Sequence, residues 1–194
     1  MKFHAFPGRL QRAFHALAVV SYLAALLLAG WNAWSADGIA AIKGETYYTQ
    51  FSLFHLKNVW LTTNYRKGVL VPVNTQVTFL KASSKEITVK LLDGGTLKIV
   101  NVERYSGVNV EGVFNRTFEK EKVDLAKFST AEKEDIMAGT VSVGMSKDAV
   151  IKALGYPPEH KTPNLEGNKW RYWKNRYGTM LVSFTDGKVS DIKK

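Results

Sequence analysis

Two histidines, His55 and His160, are the only imidazoles beyond Asp37, and more than a hundred residues separate them. With no His-x-x-x-His pair and no cysteine, ligands for zinc or another soft metal are missing. The chain has no Gly-x-Ser-x-Gly elbow and no glycine-rich phosphate loop, and Asp93-Gly94-Gly95 reads as a turn. Glu119 and Glu121 alternate with Lys120 and Lys122, the pattern of a solvated surface rather than of a paired acid and base. His160 follows Pro157-Pro158-Glu159 and reads as a loop residue, while His55 falls within an expected strand. No catalytic constellation assembles from these residues, so the expectation is a protein that is not an enzyme and needs no cofactor.

The chemistry that remains is recognition. Arg171 and Trp173, flanked by Lys169 and Lys174 and followed by Tyr177, combine a guanidinium able to pair with carboxylate or phosphate oxygens and an indole offering apolar area. Alternation along residues 169–176 sends Trp170 and Tyr172 to one face, Arg171 and Trp173 to the other. The competing reading packs Trp173 against the preceding module and leaves Arg171 as ordinary surface. Trp60 and Tyr65, around Thr62-Thr63-Asn64, form a second candidate contact surface, with core packing as its alternative.

These side chains need a scaffold, and its end is well signposted. Ser146 can cap a helix from Lys147 to Leu154, with Asp148 near its positive end and Ala149, Val150, Ala153 and Leu154 on one face. Gly155 in a left-handed conformation closes it, and Pro157-Pro158 forbid continuation. Three antiparallel strands follow, punctuated by Asn175-Arg176-Tyr177-Gly178 and by Asp186-Gly187. Upstream, Ser129-Thr130-Ala131-Glu132 is a capping-box pattern opening a short helix that Gly139 can end.

On Gly144-Met145, Val150, Leu154-Gly155, Pro157, Trp170, Tyr172, Val182, Phe184 and Gly187-Lys188-Val189, this segment resembles the SmpA/OmlA family, the domain of the outer-membrane assembly factor BamE. The resemblance implies two helices packed on a three-stranded antiparallel sheet, acting as a non-enzymatic scaffold or binding module of the bacterial cell envelope. BamE-type proteins are anchored through a lipid-modified cysteine, whereas here Leu28-Ala29-Gly30 is followed by Trp31 and the chain has no cysteine.

Residues 45 to 115 read as all-β. The runs Tyr47 to Leu56, Val69 to Leu80 around Pro72, Glu86 to Leu91 and Thr96 to Val100 are separated by Ser83-Ser84-Lys85 and Asp93-Gly94-Gly95. Short strands at this spacing predict a small barrel or rolled sheet. The order Gly68, Thr75-Gln76-Val77 and Asp93-Gly94 resembles bacterial SH3-type barrels. The expected architecture is therefore α+β: a barrel-like β-rich module over residues 43–122, then a two-helix, three-strand module over 123–194.

Lys2, Arg9 and Arg12 precede an apolar run from Ala16 to Gly30, and no acidic residue occurs before Asp37. Residues 1–36 read either as a signal peptide cleaved after Ser35 or as an uncleaved anchor, since Ala16 to Trp34 spans 19 uncharged residues and a bilayer needs ~20. Both place the remainder in the periplasm or on the outer face of the inner membrane. The chain carries a net charge of +10, and residues 140–194 alone hold 10 basic and 5 acidic residues. An exported basic module suits a protein partner, anionic lipid or cell-wall polymer, and export argues against nucleic acid. A cell-wall-binding or hydrolase-inhibitor module is the alternative function.

Overall fold

The computed structural model describes residues 39–194, so residues 1–36, which the sequence reads as a signal peptide or an anchor, lie outside the described residues. Period-two alternation from Thr46 to Val100 produces seven strands: β1 (Thr46–Thr49), β2 (Leu53–His55), β3 (Val59–Leu61), β4 (Val69–Val71), β5 (Gln76–Ala82), β6 (Glu86–Leu91) and β7 (Thr96–Val100). Five of them join β8 (Phe118–Glu119) in a six-stranded sheet in the order β3-β7-β6-β5-β1-β8. Its edges β3 and β8 do not pair with each other, and it curls into a half-barrel. The β3–β7 pair is parallel and the others are antiparallel. Val77, Phe79, Ile87, Val89, Leu97 and Ile99 fill its concave side.

The β-rich half departs from uninterrupted strands at three places. The run Tyr47 to Leu56 is not one strand: Gln50 N–H donates to Thr117 O and Ser52 N–H to Lys152 O, so the chain leaves the large sheet and β2 pairs with β4 in a second, two-stranded sheet. The run around Pro72 breaks likewise, because proline lacks the N–H a ladder needs and Asn74 adopts φ 64°. Residues 101–117 are helical rather than β, as α1 (Glu103–Ser106) and α2 (Val110–Thr117). The Asn109 side chain caps α2 by accepting from Gly112 N–H at 2.9 Å, and Val110, Val113, Phe114 and Thr117 are buried on one face. The β-branched valines masked that helical spacing.

The C-terminal part comprises α3 (Thr130–Ala138), α4 (Lys147–Leu154), β9 (Lys169–Trp173), β10 (Thr179–Thr185) and β11 (Lys188–Lys193), the strands antiparallel in the order β11-β10-β9. Trp170, Tyr172, Val182, Phe184 and Val189 point into a core with Ile136, Ala149, Val150, Ala153 and Leu154. Burial of each large apolar side chain contributes about 1.5–3 kcal/mol. Asp186 and Gly187 both have positive φ, the backbone a tight β10–β11 turn requires. β9 stops at Trp173 because the Asn175 carboxamide oxygen accepts from Tyr177 and Gly178 N–H and bends the chain. Gly155 ends α4 with φ 71° and ψ −168°, outside the expected left-handed helical region.

Side chains tie the two apolar clusters together. Val73 packs in the second cluster and Tyr156 against the first. The Asn74 carboxamide exchanges two hydrogen bonds with the Val123 backbone, at 2.7 and 3.0 Å. Ser52 Oγ donates to Ile136 O at 2.6 Å while accepting from Val73 N–H at 2.9 Å.

Candidate functional site

The alternation that buries Trp170 and Tyr172 leaves the other face of the C-terminal sheet without helices. Arg171, Leu181 and Lys193 lie side by side across its three strands, and Lys169, Ser183 and Asp191 form the next row. Lys169, Arg171 and Lys193 are exposed and Leu181 is half-buried. None of the three ion pairs among the described residues, Lys98–Glu86, Lys120–Glu45 and Lys127–Asp148, involves a cation of this face.

Trp173 has a different fate from Arg171. It is half-buried, its indole stacks on the His160 imidazole with centroids 6.4 Å apart and planes at 20°, and His160 meets the Tyr105 ring of α1 edge-on at 4.7 Å. The Trp173 carbonyl also accepts from Arg66 N–H. Trp173 is thus part of the contact between the two halves. Trp60 is 5% exposed and sits in the first core, where it meets the Phe51 ring edge-on. It offers no exposed ring to a partner.

Tyr65, Lys174 and Tyr177 are brought together in a groove between the two halves. Its three neighbouring depressions, of about 490, 380 and 140 Å³, all include Lys67 in their lining. Leu56 and Tyr65 face Arg176 and Tyr177 across the middle one, and Lys174 and Lys194 line the largest. The apolar walls are accessible: Tyr177 is 87%, Leu56 50% and Leu61 37% exposed. No aspartate or glutamate side chain lines any of the three.

Beneath the groove lies Arg66. Its Nη1 donates to Leu154 O at 3.1 Å and Ser52 O at 3.4 Å, and its Nη2 to Gly139 O at 2.7 Å and Ala153 O at 3.1 Å. Its guanidinium also covers the Phe54 ring at 4.6 Å. Burial pulls its pKa down to about 10, partly offset by the nearby Tyr172, and it stays charged at neutral pH. Four carbonyl oxygens, three of them at the ends of α3 and α4, take the place of a carboxylate partner. Burial pushes the Tyr172 hydroxyl well above the usual phenol range, and that hydroxyl donates to Gly155 O at 3.1 Å. The His55 imidazole is lowered, chiefly by burial.

Five buried side-chain atoms have no hydrogen-bond partner among the described residues: His55 Nδ1, Trp60 Nε1, Thr63 Oγ1, Asn64 Oδ1 and Trp173 Nε1. Trp60 and Asn64 line a small pocket of about 30 Å³ together with Arg116 and Tyr156, room for about two waters. Among the described residues no group of three or more His, Asp or Glu could hold a metal ion, and no helix is long and apolar enough to cross a membrane.

Sequence reasoning did not single out Leu56, Arg66, Lys67 or Arg176. Arg66 and Lys67 sit in a turn-rich stretch with no periodicity to assign them a face, and only the folded chain sets them beside the β9–β10 loop. The excess of cations in residues 140–194 was the one available signal for Arg176. No family model, no curated protein and no solved structure matches the chain.

Proposed function

We propose that the chain is a non-enzymatic binding module of the bacterial cell envelope, exported to the periplasm or held at the outer face of the inner membrane. It contacts an acidic partner surface through its C-terminal sheet. The observation that carries this reading is the helix-free face on which Lys169, Arg171 and Lys193 stand around Leu181 with no ion pair. Cations left unpaired around an apolar side chain have the composition of a contact surface for an anionic partner. The basic, apolar N-terminal sequence supplies the export part of the reading. Two helices followed by three antiparallel strands support a BamE-like arrangement for residues 123–194, and the curled sheet supports an SH3-like one for 43–122.

The test places a photo-crosslinking residue at Leu181 in the full chain in living cells, with Ser84 as a control position. Protease accessibility in spheroplasts reports the compartment. A discrete adduct at Leu181, absent at Ser84 and lost with Arg171→Glu, is the expected outcome. An adduct to lipid would assign the face to anionic headgroups. A protease-protected cytoplasmic chain, or no adduct at all, would overturn the proposal.

A further inference from the structure

The groove between the two halves is distinct from the sheet face and carries its own chemistry. We infer that it receives an extended acidic segment of a protein partner, with carboxylates paired to Lys67, Lys174 and Arg176 and an apolar or aromatic side chain seated between Leu56, Tyr65 and Tyr177. The inference rests on the reading of the chain as a binding module and names what one of its surfaces takes.

Charge complementarity carries the first half. Lys67 borders all three depressions, Lys174 and Arg176 lie on the opposite wall, and no acidic side chain lines any of them. No ion pair among the described residues engages these cations. Like charges gathered with no acidic side chain among them repel one another, and an anionic occupant relieves that repulsion. The distribution is local. The chain as a whole has 17 acidic residues against 27 basic ones, so their absence from this lining is a property of the groove.

Shape and apolar area carry the second half. Leu56 and Tyr177, half and almost fully exposed, flank a concavity of about 380 Å³ that shares Leu56, Tyr65 and Lys67 with the smallest depression and Lys67 and Asn175 with the largest. The depression at Leu61 is apolar apart from Lys67, and the one beside Lys174 is cationic, so an occupant spanning the groove meets both kinds of surface. A bilayer surface is flat and would meet the rim while leaving the recesses unfilled, whereas a peptide fills them with side chains. Tyr65 and Tyr177 offer rigid apolar contact with a polar tip, the residue type that dominates such anchors.

Fluorescence anisotropy with the full chain tests this, using a labelled peptide of alternating Glu and Leu ending in Phe and a second in which Lys replaces each Glu. The acidic peptide should bind saturably and more weakly as salt rises, and the basic peptide should not bind. Lys67→Glu and Arg176→Glu should each weaken binding roughly tenfold. Tyr177→Ser should weaken it at unchanged salt dependence. Both cations are exposed, so these variants should unfold at the wild-type temperature, and whichever folds suffices. Arg171→Glu should leave peptide binding intact, because Arg171 belongs to the sheet face. A chain with unaltered Arg171 that gives no Leu181 adduct but still binds the acidic peptide would therefore sink the proposed function and spare the groove. Equal binding of both peptides, indifference to both charge reversals, or binding of phosphatidylglycerol vesicles through Lys67 without peptide binding would overturn the inference.

Discussion

Glu132 and Arg66 close opposite ends of the same helix pair. Glu132, in the first turn of α3, accepts from Ser129 N–H and hydroxyl at 3.0 Å through one oxygen and from Ser146 N–H and hydroxyl at 2.9 Å through the other, so one carboxylate joins the N-caps of α3 and α4. Arg66 gathers the carbonyls where both helices end. The two helices therefore run side by side in the same direction, negative charge at their positive ends and positive charge at their negative ends.

Arg66→Met should destabilise the protein by about 3 kcal/mol, since the carbonyls of Gly139, Ala153 and Leu154 lose their shared donor in a partly buried site. Arg66→Lys should recover only part of the loss, because an ammonium cannot fork across four acceptors. Urea unfolding followed by circular dichroism measures both, and a neutral Arg66→Met would show the network to be dispensable.

Glu132 predicts an acid limit. Burial raises its pKa, but the hydrogen bonds from Ser146 and Ser129 outweigh that and hold it at about 2, against an ordinary 4.5. The folded state binds its proton less readily than the unfolded chain. The stability it contributes is fully present above about 4.5 and is lost as pH falls toward about 2. Melting temperatures across that window should fall for the wild type and fall less for Glu132→Gln, which starts lower. Parallel curves would remove Glu132 as the cause.

Gly155→Ala should cost about 1–3 kcal/mol, because the position has positive φ and its Cβ would meet the Phe51 ring, with Cδ2 2.7 Å away. Gly144→Ala shares the positive φ but meets nothing within 4 Å, so it should cost only about 1 kcal/mol. Equal losses in thermal unfolding would show that the Phe51 contact relaxes freely.

The stack of Trp173 on His160 should report on pH. Burial first, then Lys161 and Arg104, lowers the imidazole pKa, so the neutral ring is favoured in the folded state and the stabilisation fades as pH drops below the ordinary 6.5. Tryptophan fluorescence should change over that range in the wild type and stay flat in His160→Gln. A retained transition would place its origin elsewhere.

Legibility followed the range of the interactions. Ser129, Ser146 and Asn175 act on backbone groups a few residues away, and those local patterns were readable. The α2 helix was readable in principle from Asn109, Val110, Val113 and Phe114, but its valines favour strands as well. For Trp173 and Trp60 the sequence leaves a contact surface and packing both open, and the fold selects packing, drawing one into the contact between halves and the other into a core, because which face of a strand is covered depends on what packs there.

By itself, the chain's order of residues determined where the C-terminal helices start, where the sheet turns and that the surface is basic, since capping, hairpin geometry and charge are local or additive. Only the tertiary structure decided that Arg66 would hold both helix ends and that Lys67 and Arg176 would share a groove. A side chain reaching carbonyls 87 and 88 residues away leaves no periodicity to read, and complementary walls exist only once loop-closure entropy has been overcome by the packing of both cores.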